Sequence, residues 1–246
     1  MVQKKRLLFE VSALKKKYGE NQALNIKRLE IHPGTIYGVT GSFGSGKTTL
    51  LNILSGMEKQ TSGDVLYDDM PHESNWLGNL VPNEEIFYTK SLSNSISILN
   101  LIKTKFGKKR NIIKNRYFSI SKLKYLLKRK IKDISAAEKN WLGMILAIEK
   151  DPRILLIDDY GIHFDSKLEL DFRNQIIKMN RNLGTTIIVT SPSDSYVKSF
   201  ASVLIYLDHG NISKIRTGFS KKPNRRKKSN IVRHAFAYTL SNYSFN

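Results

Sequence analysis

The sequence predicts an α/β fold built on a mainly parallel sheet, on three observations. Short branched apolar runs at 35–40 ("TIYGVT"), 154–157 ("ILLI") and 185–190 ("TTIIVT") have the length and composition of buried strands. Stretches with helical spacing of apolar residues lie between such runs, so strands alternate with helices. The run at 154 ends in two adjacent carboxylates, Asp158 and Asp159. A strand edge with that much negative charge is one that can hold a magnesium ion beside a phosphate.

Each element follows from its local pattern. Leu7–Val11 and Ile26–Ile31 alternate enough to read as an antiparallel pair. The strand at 35–40 reaches Gly41, and Lys47–Leu54 follows as a helix stopped at Gly56. "GDVLYDDM" reads as a strand and turn, and Asn94–Lys105 and Lys122–Lys132 are expected to be helical. Ala136–Glu149 carries Trp141, Leu142, Ile145, Leu146 and Ile148 as a helical stripe, which Asp151-Pro152 ends. After the strand Ile154–Ile157 come a helix over about 167–182 and the strand at 185–190. "VLIYLDHG" and "ISKIRTG" close the series around a His209-Gly210 turn. "KKPNRRKKSN" has the composition of a linker or tail. The expected division is a domain over 1–218, with a helical subdomain at about 84–150, and a basic, aromatic tail over 219–246.

A chain of 246 residues with 40% hydrophobic content can bury a sizeable core. It has no cysteine, which excludes disulfides and thiolate metal sites. No apolar run approaches the roughly 20 residues needed to span a bilayer. The opening "MVQKKRLLFEV" lacks a signal-peptide core. The net charge of +20 is segregated: Lys103–Lys132 holds 13 basic residues and no acid, and 9 more follow Ile212, again with none. Complete segregation of this kind favours two patches facing an anionic partner over scattered solvation.

"GSFGSGKTT" is a full phosphate-loop match between a strand and a helix. Gly41, Gly44 and Gly46 let the N–H groups of the loop, Ser42 and Ser45 among them, turn inward. The helix entered through Lys47, Thr48 and Thr49 adds its N-terminal dipole. Lys47 can reach the β- and γ-phosphates, and Thr48 can ligate Mg²⁺.

With these residues in place the chain resembles the nucleotide-binding subunit of an ABC transporter, from about residue 7 to 218. "LLNILSGMEKQTSGDVLYDD" follows the loop as in that family. "LVPNEEIFYTKSLSNSI" falls at the Q-loop, "ISAAEKNWLGMILAIEKDPRILLIDD" at the signature helix and Walker B strand, "GIHFD" at the D-loop and "IIVTSPSD" at the switch loop. The resemblance implies a P-loop NTPase fold with an ABC-ATPase-like core, an antiparallel β subdomain and a helical subdomain. It implies ATP, with Tyr18 stacking on adenine, and Mg²⁺ held by Thr48, Asp158 and the Q-loop position, Asn83. It also implies separate membrane-spanning partner subunits and a second ATPase subunit, like or unlike this one. That places the chain in the cytoplasm, on the inner face of a membrane.

The departures from the family pattern fall at catalytic positions. Asn83 replaces the Q-loop glutamine, Asp159 the glutamate after Walker B, and Ser191 the switch histidine. The signature is written Ser135-Ala136-Ala137-Glu138. Asp159 retracts the carboxylate by one methylene, and Ser191 is too short to reach a γ-phosphate. "SAAE" also has the form of a helix capping box, so that weakened phosphate contact and simple helix capping stand side by side. The expectation is ATP·Mg²⁺ binding with slow or absent hydrolysis. Two other readings carry weight: a nucleic-acid- or ribosome-associated ABC protein, suggested by the charge, and a structural pseudo-ATPase. Anionic lipid contact through Lys103–Lys132 accompanies the transporter reading.

Overall fold

The computed structural model describes residues 7–91, 95–119, 121–162, 164 and 166–218. The expected tail over 219–246 lies outside the described residues, as do two positions of the D-loop stretch, 163 and 165.

The chain opens with a long hairpin, β1 (Phe9–Tyr18) and β2 (Asn21–Ile31), antiparallel from Phe9↔Ile31 to Tyr18↔Asn21. The buried strand β3 (Ile36–Thr40) and helix α1 (Lys47–Leu54) follow. Strands β4 (Ser62–Tyr67) and β5 (Met70–Pro71) join the hairpin, giving a four-stranded sheet in the order β2-β1-β4-β5. A short strand β6 (Ile86–Tyr88) precedes helices α2 (Ile98–Phe106), α3 (Arg110–Phe118), α4 (Ser121–Lys124) and α5 (Ala136–Lys150). Then come β7 (Ile154–Ile157), α6 (Ser166–Lys178), β8 (Thr186–Ser191), β9 (Val203–Asp208) and β10 (Asn211–Thr217). The second sheet has six strands in the order β10-β9-β3-β8-β7-β6; its pairs are parallel except for β9 with β10.

The parallel sheet is buried on both faces, because successive side chains of a strand point to opposite sides. On β7, Leu155 and Ile157 pack into a core shared with Trp141, Leu142 and Ile145 of α5, whereas Ile154 and Leu156 pack into a second core with α1 and the antiparallel sheet. At about 25 cal/mol per Å² of apolar surface removed from water, these two cores are the main driving force for the fold. Trp141 is fully buried and meets Phe118 edge to face at 5.4 Å.

Two elements escape the sequence pattern. β6 has only three residues, too few to show a period. α3 mixes Arg110, Lys114 and Arg116 with two asparagines, and buries only Ile113, Tyr117 and Phe118. One expectation is corrected: Lys122–Lys132 is not a continuous helix. After α4 the chain makes 3₁₀ turns at Tyr125–Lys128 and Ile131–Asp133. Between them Ser97 and Lys130 form an antiparallel bridge, with Ile98 N donating to Arg129 O and Ile131 N to Ile96 O. Extended backbone at Arg129 and Lys130 cannot continue a helix.

Candidate functional site

The parallel sheet brings the phosphate loop and the two aspartates together. β3 lies between β8 and β9 and delivers the loop Gly41–Gly46 to the N-terminus of α1. Only glycine fits at 41: a Cβ there would stand 2.2 Å from Leu207 O and 2.6 Å from Ser45 Oγ. The Lys47 ammonium sits inside the loop, donating to Gly41 O at 2.8 Å, Ser42 O at 2.7 Å and Ser45 Oγ at 3.1 Å. Burial pulls the Lys47 pKa down, and the charges of Asp159 and Asp158 offset part of that. A cavity of about 420 Å³ opens beside the loop, lined among others by Tyr18, Phe43, Thr48, Thr49, Asp159 and His209. The Tyr18 ring is half exposed, with Lys16 Nζ 5.0 Å from its centroid. Phe43 is fully exposed at the loop tip and was not singled out by sequence pattern; nothing in the loop consensus marks that position.

Asp158 is the hub of the site. It follows the last residue of β7, and its side chain is wholly buried. Its Oδ2 accepts from Thr48 Oγ1 at 2.8 Å, Tyr88 OH at 3.2 Å and Lys90 Nζ at 2.6 Å. Its Oδ1 accepts from Asp159 N at 3.1 Å and from Thr190 Oγ1. Burial alone would raise this carboxyl, but the bonds from Lys90, Thr190 and Thr48 and the Lys90 charge hold it below the usual range. Asp159 is more open. Its Oδ2 takes the same Lys90 ammonium at 2.9 Å, and its N–H also donates to Thr190 Oγ1 at 3.0 Å. Its φ of 54° lies in the left-handed region, which aspartate tolerates better than most non-glycine residues. Burial opposes the Lys90 charge, yet the two carboxylates raise its pKa overall.

Several residues singled out by sequence are not brought to this site. Asn83 lies three residues before β6, at the edge of the sheet opposite the carboxylates. β6 and β7 run parallel, with Tyr88 level with Leu156. The Asn83 side chain accepts from Glu85 N at 2.8 Å and lines a different cavity, with Tyr67, Pro71 and His72. Asn83 therefore reaches neither carboxylate, and the residue that does so from this segment is Lys90, just past the C-terminal end of β6. Ser191 is fully buried at the end of β8, where Oγ donates to Tyr160 O at 3.2 Å. Its neighbour Thr190 is the β8 residue that touches the aspartates.

Ser135, Ala136, Ala137 and Glu138 start α5, away from the loop cavity. The capping box is complete: Glu138 N donates to Ser135 Oγ at 3.2 Å, and Ser135 N donates to Glu138 Oε2 at 2.7 Å. Tyr125 OH also donates to the Glu138 carboxylate, whose pKa stays below its usual value despite burial.

The hydroxyl of Thr48 and the carboxylate of Asp158 are the hard oxygens that Mg²⁺ takes. However, Asp158 already receives five donors from the chain, against the roughly four lone pairs a carboxylate offers. As arranged, the donor set does not fit a resident divalent cation unless Lys90 leaves and Thr48 turns its hydroxyl proton away from Asp158.

The sheet order and the glycine loop define a P-loop nucleotide-binding fold. A family described as "ABC transporter" matches residues 24–160, more than half of the chain, and the protein belongs to that family. Curated relatives include the sn-glycerol-3-phosphate import ATP-binding protein UgpC of Psychromonas ingrahamii, 29% identical over 206 residues, covering 80% of this chain and 54% of the relative. The maltose/maltodextrin import ATP-binding protein MalK of Salmonella typhimurium is 26% identical over 196 residues, covering 76% and 52%. The chain thus spans about half the length of these relatives. Among solved structures, a dimeric ATP-binding cassette, MJ0796, in a post-hydrolysis state bound to ADP and Pi, superposes with a TM-score of 0.69 at 22% identity, over 86% of this chain and 100% of that one. CbiO1 of Clostridium perfringens, part of an ABC transporter complex, gives 0.67 at 19% identity, over 86% and 89%. The expected fold class holds: an ABC-ATPase core with an antiparallel β sheet and a parallel sheet.

Proposed function

We propose that the chain is the ATP-binding subunit of an ABC-type import complex, holding ATP through Gly41–Thr49 and hydrolysing it slowly or not at all. The observation that carries this reading is the contrast within one site. The phosphate loop, Lys47, Thr48 and the aromatic Tyr18 line one cavity; of the groups expected to act on the γ-phosphate, Asp159 lines that cavity too but is held by a lysine, and Ser191 and Ser135 lie outside it. Asp159 is paired with Lys90, Ser191 is buried against Tyr160 O, and Ser135 caps its own helix. The relatives' names supply the import direction.

Among the described residues no helix is long and apolar enough to cross a membrane. The reading carries with it separate membrane-spanning subunits and a second ATPase subunit, like or unlike this one; if ATP is hydrolysed in a mixed dimer, that second subunit supplies the intact catalytic groups. The exposed basic side chains on α2 to α4 suit acidic partner loops or anionic headgroups. For the nucleic-acid alternative, Tyr117 and Phe118 of the basic region are buried and present no face for base stacking, and Tyr125 is the half-exposed aromatic there.

The test is ATP binding and turnover by the purified chain, alone and with its co-purifying partner. The expected result is binding without appreciable turnover, loss of binding in Lys47→Ala, and a rate gain in Asp159→Glu of up to roughly 10²-fold, the scale of a misplaced catalytic group. Brisk turnover by the isolated wild type would overturn the proposal.

A further inference from the structure

Two carboxylates stand beside the phosphate loop, and ATP brings further negative charge to the same place. Without a compensating cation that arrangement repels its own ligand. ATP-binding sites ordinarily solve this with a divalent metal. Here the chain carries its own cation. Lys90 Nζ lies 2.6 Å from Asp158 Oδ2 and 2.9 Å from Asp159 Oδ2, bridging the pair. The oxygen it holds on Asp158 is the one bonded to Thr48 Oγ1, the hydroxyl that would share a metal with it.

The bridge is built into the fold. β6 pairs in parallel with β7, so the chain leaves β6 level with the end of β7 and turns Lys90 over the two carboxylates. Tyr88, on the same strand, adds its hydroxyl to Asp158 Oδ2. With Lys90 in place the pair carries one net negative charge; without it, two.

We infer that Lys90 takes the place of the divalent cation at this site, so that the chain binds ATP with little dependence on Mg²⁺. The inference rests on the ATP-binding reading proposed above. It also gives the slow hydrolysis proposed above a second physical cause, since the ammonium on Asp159 Oδ2 competes with an attacking water for that oxygen.

The experiment is equilibrium binding of ATP to the full chain, in Mg²⁺ and in EDTA, for the wild type, Lys90→Gln and Lys90→Arg. Thermal melts confirm that each variant is folded, and Lys90 is half exposed, so neither substitution opens a cavity. Wild type and Lys90→Arg are expected to hold ATP with affinities that differ by less than about threefold between the two conditions. Lys90→Gln is expected to weaken by roughly tenfold or more in EDTA and to recover in Mg²⁺, the worth of one charge-assisted contact. A wild type that weakens tenfold in EDTA would overturn the inference while leaving ATP binding intact. So would a Lys90→Gln variant as indifferent to EDTA as the wild type. Failure of the wild type to bind ATP in either condition would overturn both the inference and the reading beneath it.

Discussion

Replacing Ser135 by alanine separates two roles that the sequence left side by side. Ser135 Oγ accepts from Glu138 N at the N-terminus of α5, the helix whose Trp141, Leu142, Ile145 and Leu146 fill one core. Losing an N-cap hydroxyl costs about 1 kcal/mol, within a range of roughly 0.5–2. For a domain of this size 1 kcal/mol lowers the melting temperature by about 2–4 °C. Ser135→Ala should therefore melt about 2–4 °C below wild type by circular dichroism without nucleotide. Ser135→Asn, whose side chain caps equally well, should melt within about 1 °C of wild type. The reciprocal bond from Ser135 N to Glu138 Oε2 survives in both variants, so neither should lose the whole box. If alanine melts with the wild type, or asparagine with alanine, the hydroxyl is not a cap and the reasoning fails.

The same box predicts a pH dependence. The Glu138 carboxyl lies below its ordinary value in the folded chain: burial works against this, and the bonds from Tyr125 and Ser135 outweigh it. Its stabilisation is therefore complete above the ordinary glutamate pKa of about 4.3 and is lost as the pH falls below that value through the folded pKa. The melting-temperature advantage of wild type over Glu138→Gln should shrink across that interval; an advantage that grows as the pH falls would refute the assignment. Thr190→Val keeps the shape of the side chain but removes its bond to the Asp158 carboxylate. A bond to a charged group is worth about 1.5–3 kcal/mol, so the variant should melt roughly 3–12 °C lower, and a melt within about 1 °C of wild type would show that Thr190 does not support the site.

Much of the protein could be read from its residues in order. Lys47–Leu54 and Ile154–Ile157 are found where the pattern placed them, because a glycine loop and a bounded apolar run are local signals. The capping box was visible as Ser135 and Glu138 for the same reason: its partners are three residues apart.

What the sequence could not show is which side chains meet across strands. Lys90 is 68 residues from Asp158, and it reaches that carboxylate because β6 is parallel to and in register with β7. A strand of three residues carries no period from which to read that register. The same register puts Asn83 at the far edge of the sheet, although it lies only seven positions from Lys90. Alternation on β8 likewise turns Thr190 toward the aspartates and leaves Ser191 to Tyr160 O. The sequence by itself determined the phosphate loop, the buried strands β3, β7 and β8, and the capped helix, all set by neighbours in the chain. The cation that faces the carboxylates was decided only by tertiary structure, through the pairing of strands.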